Sequence, residues 1–109
     1  MDFNEYQERA KETAIYPTLA FRWIYPALGL AGESGEVVEK LKKIARNKEG
    51  EISEEDRKKL GAELGDVLWY VAMLANELGL SLEKIAEDNL AKLKSRKERN
   101  VLHSEGDER

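Results

Sequence analysis

The sequence predicts an all-α protein, a four-helix bundle-like domain built around two long central helices. Three observations carry this. No stretch alternates apolar and polar residues long enough for a strand, whereas apolar residues recur every three or four positions along most of the chain. Helix-start residues stand at Asp2, Ser53 and Ser81, and helix stops at Pro17 and Gly79. The connections between periodic segments are short, which favours antiparallel neighbours.

Asp2 and Glu5 have capping-box spacing before a first helix through Phe3, Tyr6, Ala10 and Ala14, with Gln7 also on its apolar side, and Pro17 ends it. Tyr16, Phe21, Trp23 and Tyr25 then concentrate aromatic side chains in a connector. Pro26 suits the first turn of the second helix, which runs to about Asn47, because proline lacks only an N–H that a first turn leaves unbonded. Lys48-Glu49-Gly50-Glu51 is a polar turn. Ser53 caps a third helix that reaches Leu78 and stops at Gly79, and Ser81 caps a fourth with Leu82, Ile85, Ala86 and Leu93 on its apolar side. Residues 100–109 form a polar tail without a core pattern, so the folded domain is expected over 1–99.

A chain of 109 residues supports one core and is near the small end for enclosing a catalytic site unaided, so self-association to a dimer or tetramer is expected to complete it. The net charge of −4 gives no basic footprint for nucleic acid, and no apolar run approaches the roughly 18 residues of a membrane span. Cysteine is absent, which removes disulfides, thiolate nucleophiles and Cys-based metal sites. The N-terminus lacks an apolar signal region, and a cytoplasmic location is expected.

The most informative feature is a near-duplication. Glu33-Ser34-Gly35-Glu36-Val37-Val38 is echoed 30 positions later by Glu63-Leu64-Gly65-Asp66-Val67-Leu68. Each copy places two acids three residues apart, on one helix face. On a helical wheel Leu30, Val37, Leu41 and Ile44 form an apolar stripe, with Glu33 roughly 60° and Glu36 roughly 120° to one side. Leu60, Leu64, Val67, Val71 and Leu78 repeat the picture, with Glu63 and Asp66 at similar offsets. Packing the stripes together brings four carboxylates to one edge of the core, an arrangement that repels itself unless a hard divalent cation neutralises it. Gly29, Gly32, Gly35, Gly61 and Gly65 fall inside the same helices, where each glycine costs about 1 kcal/mol. Such a cost is tolerated where backbone or ligand must approach closely.

On the fourth helix Asn89 is expected near the middle of the apolar stripe, with Lys92 and Arg96 one and two turns along its flank, so that an amide and two cations face the bundle. Beside a carboxylate cluster, such cations suit the outer oxygens of a metal-bound polyphosphate.

The ordered set Glu33-x-x-Glu36, Glu63-x-x-Asp66 and Asn89-x-x-Lys92, with the runs Gly29 to Glu36 and Glu63 to Tyr70, resembles the MazG-like all-α nucleoside triphosphate pyrophosphohydrolases over roughly residues 3 to 99. The resemblance implies cleavage of a nucleoside triphosphate between its α and β phosphates, with Glu33, Glu36, Glu63 and Asp66 holding Mg²⁺. It also implies that Asn89, Lys92 and Arg96 contact phosphate or sugar, and that dimers, or dimers of dimers, pack the catalytic helices at subunit contacts. Some family members carry a further carboxylate that activates water, and position 34, where it is sought, is Ser.

Oxygen ligands without imidazole or thiolate suit Mg²⁺, with Mn²⁺ as a substitute, better than zinc. Trp23, Tyr25 and Trp69 are candidates to stack a base. A di-iron carboxylate bundle normally needs Glu-x-x-His on two helices, and the single histidine, His103, lies in the tail. The remaining alternative is a non-catalytic helical interaction module with an acidic binding face; it accounts for neither the paired glycines nor Asn89.

Overall fold

The computed structural model describes residues 1–103 and 105–106, and its regular elements are all helical: α1 (Phe3–Ala10), α2 (Ile24–Lys48), α3 (Glu54–Glu77) and α4 (Leu82–Glu98), with a 3-10 turn over Lys11–Thr13. Ser104 and residues 107–109, part of the expected polar tail, lie outside the described residues. No helix among the described residues is long and apolar enough to cross a membrane.

The caps explain most boundaries. Asp2 Oδ1 accepts from the Glu5 N–H at 2.8 Å and Ser81 Oγ from Lys84 N–H at 3.2 Å, each satisfying one otherwise unbonded donor of a first turn. At α3 the box is complete: Ser53 Oγ accepts from Asp56 N–H at 3.1 Å while Asp56 Oδ2 accepts from Ser53 N–H at 3.2 Å. α2 ends on Glu49 and α3 just before Gly79, and the glycine at 79 holds φ near +70°, where a side chain would be strained.

α1 is shorter than its sequence pattern suggests. The chain tightens after Ala10, where the Trp69 indole N–H donates to Ala10 O at 3.2 Å and to Thr13 Oγ1 at 3.1 Å, so a residue of α3 satisfies the end of α1. Ala14 therefore packs from beyond the helix. Gln7 is buried on α1, with Nε2 donating to Asn76 Oδ1 and Leu80 O at 2.7 and 2.8 Å and Oε1 accepting from Leu82 N–H at 2.8 Å. One amide thus ties α1 to the α3–α4 turn.

The core occupies one end of the molecule. Ala10, Ala72, Met73 and Leu82 are buried together, with Tyr6, Leu68 and Trp69 packed around them, where α1 and α4 meet the C-terminal half of α3. The aromatic connector is bound to the same end: Tyr16 stacks on Tyr25 at 5.3 Å between ring centres and donates to Glu77 Oε1 at 2.8 Å, and Arg22 Nε reaches Glu77 Oε2 at 3.0 Å. Burial and then Glu77 push the Tyr16 phenol up to about 12.

Beyond that end α2 and α3 form a hairpin held by its own seam. Contacts pair Gly29 with Tyr70, Glu33 with Glu63, and Lys48 with Asp56, so α3 runs antiparallel to α2. The less exposed positions are Leu30, Glu33, Val37, Lys40 and Ile44 on α2, and Asp56, Leu60, Glu63 and Val67 on α3. This spacing of alternating threes and fours is the seam of two helices that wrap around each other. It corrects the predicted stripes: Leu41, Leu64 and Leu78 are 40%, 55% and 53% exposed, and Glu33, Lys40 and Glu63 take seam positions. The apolar sector of each helix is wider than one partner covers, so the chain's own packing uses one side of it.

Lys48 Nζ donates to Asp56 Oδ2 at 2.8 Å and closes the far end of the hairpin. Lys48 and then Ser53 hold the Asp56 carboxyl down at about 2, against 3.8 ordinarily. The carboxylate therefore stabilises the fold fully above pH 3.8, and that contribution is lost as pH falls toward 2. Asp56→Asn is expected to lower the melting temperature at neutral pH and leave it little changed near pH 2, which an acid titration of thermal melts checks.

Candidate metal centre

The acidic centre forms where the seam crosses the middle of the hairpin. One carboxylate oxygen from each of Glu33, Glu36 and Glu63 lies within 4.8 Å of the others. Glu33 and Glu63 are half-buried in the seam, and Glu36, one turn on from Glu33, is exposed at its edge. Asp66 is exposed too and lies outside this closest group, yet its charge acts on Glu33, Tyr70 and Tyr6. Three of the four predicted acids thus converge, and the fourth borders them.

The electrostatics are those of a site short of positive charge. Burial, followed by the charges of Asp66 and Glu36 and by contact with Glu63, pushes the Glu33 carboxyl above its usual range. Glu33 Oε2 is buried without a hydrogen-bond partner. Buried carboxylate oxygens are almost always satisfied, so an orphan aimed into an acid cluster fits a ligand atom for a cation. The donor set is all oxygen, which suits Mg²⁺ or Mn²⁺. One counter-charge comes from the chain itself: Lys40 Nζ stands 3.2 Å from Glu63 Oε1. Toward the α2–α3 turn a groove of about 270 Å³, lined by Lys40, Lys43, Lys48 and Lys59 over Ile44 and Leu60, continues from this lysine.

Lys40 and Tyr70 are neighbours of the centre that the sequence reading did not single out. Both were signalled by register, since Lys40 follows Glu33 and Tyr70 follows Glu63 by seven residues, one full repeat of a helix seam. The Tyr70 phenol is raised first by burial, then by Tyr25 and Glu33.

The other predicted site residues are placed differently. Asn89 and Lys92 are exposed on α4, which corrects the expectation that they face the bundle, while Arg96 is buried. α4 docks on α1 and the end of α3, with Leu82 in the core, and Leu90 beside Asn89 is 69% exposed. Trp23 is partly exposed and stacked on Phe21 at 5.5 Å between ring centres. Trp69 is half-buried, edge-on to Tyr16 and Tyr70, with its N–H committed to α1. Of the glycines near the acids, Gly29 faces the Tyr70 ring closely, while among the described residues a Cβ on Gly32, Gly35, Gly61 or Gly65 would meet open space.

The MazG nucleotide pyrophosphohydrolase domain matches residues 26–101, which contain both acid pairs and α4. The chain belongs to the MazG family. Its membership agrees with the all-helical fold, and MazG enzymes typically depend on a divalent metal. Among curated proteins, the "Gene 37 protein" of Mycobacterium phage L5 is 47% identical over a 114-residue alignment that covers all of both chains, and that name assigns no activity. No solved structure matches the chain.

Proposed function

We propose that the protein is a Mg²⁺-dependent nucleoside triphosphate pyrophosphohydrolase that cleaves between the α and β phosphates, releasing a nucleoside monophosphate and pyrophosphate. The observation that carries this reading is the buried, unpartnered Glu33 oxygen in a three-carboxylate convergence, within a chain of the MazG family. Glu33, Glu36, Glu63 and Asp66 would hold the cation, Mg²⁺ or its substitute Mn²⁺. A divalent ion so held supplies charge neutralisation at phosphoryl oxygens and acidifies water at neutral pH.

The chain's own residues divide the remaining work. Phosphoanhydride hydrolysis asks mainly for positioning and charge stabilisation, so the proposed roles of Asn89, Lys92 and Arg96 are to hold phosphate and sugar. Trp23 and Trp69 offer aromatic surfaces to the base, Trp23 with the more accessible ring. Self-association to a dimer or tetramer is part of the proposal. Exposed Leu28, Val38, Leu41, Leu64 and Leu90 leave apolar surface on α2, α3 and α4, the same helices that bear the acids, Asn89 and Lys92. Burying it between copies would bring the exposed Asn89 and Lys92 of α4 beside the acidic centre of a neighbouring copy. A cytoplasmic location and action on free nucleotides, without nucleic acid or membrane as partner, complete the reading.

Incubation with a panel of ribo-, deoxy- and modified nucleoside triphosphates plus Mg²⁺, followed by chromatography, tests it. The expected products are monophosphate and pyrophosphate. A diphosphate with free phosphate refutes the scissile bond, and no turnover across the panel favours a non-catalytic module with an acidic binding face.

A further inference from the structure

We infer that Lys40 is the built-in counter-cation of the acidic centre, held on Glu63 until a divalent ion displaces it, and that it thereby lowers the centre's affinity for metal. The inference rests on the reading of Glu33, Glu36 and Glu63 as a metal centre.

Position comes first. Lys40 lies one helix repeat beyond Glu33 and one turn beyond Glu36, so the seam delivers its side chain to the face that carries the acids. Its Nζ is 3.2 Å from Glu63 Oε1, an oxygen of a residue whose carboxylate belongs to the three-acid convergence. The two side chains are 39% and 17% exposed, so the pair is less screened than a fully solvated one. Other lysines nearby are engaged elsewhere: Lys43 is paired with Glu39 at 3.8 Å, Lys48 with Asp56 at 2.8 Å and Lys59 with Glu55 at 3.2 Å.

Charge then decides the effect. An ammonium and a divalent ion sharing one carboxylate repel each other, so metal entry requires Lys40 to withdraw from Glu63. The ammonium satisfies Glu63 and leaves Glu33 Oε2 without a partner, so the fold tolerates the metal-free centre without filling it. A lysine suits this role because its long flexible stem lets the charge move while the helix stays fixed.

Calorimetric titration of the intact chain with Mg²⁺ and with Mn²⁺, without nucleotide, tests this on the parent, Lys40→Gln, Lys40→Arg and Lys43→Gln. Lys40→Gln is expected to bind metal roughly three- to tenfold more tightly and to melt lower without metal. Lys40→Arg should stay within about twofold of the parent because it keeps the charge, and so should Lys43→Gln, because it removes a charge that does not touch Glu63. Unchanged or weaker metal binding by Lys40→Gln overturns the role of Lys40 while leaving the metal centre standing. An equal gain in Lys43→Gln also overturns it, as an effect of net charge. A parent that binds neither ion overturns the metal centre itself, and the inference with it.

Discussion

Glu33→Gln is expected to abolish pyrophosphate release, by a hundredfold or more, while raising the melting temperature of the metal-free protein by a few degrees. The two effects have one origin. Glu33 is the acid under greatest strain: burial and three neighbouring carboxyls disfavour its charge, and one of its oxygens is buried without a partner. An amide removes the repulsion and adds donors that the surrounding carboxylates can accept. It also removes a proposed ligand, so the thermal response to Mg²⁺ should shrink. In the parent, ligand at a hundredfold excess over Kd adds about 2.7 kcal/mol, which melts resolve readily. Glu63→Gln makes the contrast, because it strands Lys40 and should show less gain in metal-free stability. A Glu33→Gln protein that melts well below the parent, or keeps most of its activity, overturns the assignment of this acid to a metal centre.

Gly29→Val is expected to destabilise the fold by about 3 kcal/mol, among the largest single-residue effects in the hairpin. A Cβ at position 29 would clash with the edge of the Tyr70 ring, and that ring is itself braced by Trp69 at 5.1 Å between centres. Tyr70→Ala in the same chain should recover part of the loss, a coupling that urea denaturation of the two single variants and the double variant measures. Gly61→Ala and Gly65→Ala set the opposite expectation. Among the described residues, nothing beyond the adjacent residues and the helix's own backbone stands within 4 Å of a Cβ at either position, so each should gain up to about 1 kcal/mol of helix stability. If they gain stability and lose turnover, the space they keep clear is used by substrate or by a second copy of the chain.

Element boundaries were legible where a local signal sets them. Ser53, Ser81 and Gly79 act within a turn of the residues they cap, and the structure follows them. The end of α1 was not legible, because it depends on Trp69, fifty-nine residues away in the chain, bonding to Ala10. The acid pairs were visible as a repeated pattern, and the convergence of Glu33, Glu36 and Glu63 followed from packing two such helices together, with Asp66 left at its border. Which side of each stripe packs was not visible: a wheel drawn at 3.6 residues per turn favours Leu41 and Leu64, while two wrapped helices follow a 3.5-residue repeat that selects Glu33, Lys40 and Glu63. Asn89 was misplaced for a related reason. Apolar neighbours such as Leu90 and Leu93 suggest a covered face in the sequence, yet within the chain both are exposed.

The one-sided core has a consequence for how the molecule breathes. Residues near Met73 are held by three helices at once, whereas the stretch toward Glu49 is held by a single seam and a Lys48–Asp56 clasp. Local opening should therefore be graded along the hairpin, frequent at the clasp and rare at the core, and amide exchange would read it as a slope from one to the other. The acids sit on that slope, between the part that opens rarely and the part that opens often. A cation bridging Glu33 and Glu63 would stitch the two helices at this border and extend protection outward to the loose end. Cofactor arrival would then be felt as a change in dynamics across half the hairpin, with no change of fold.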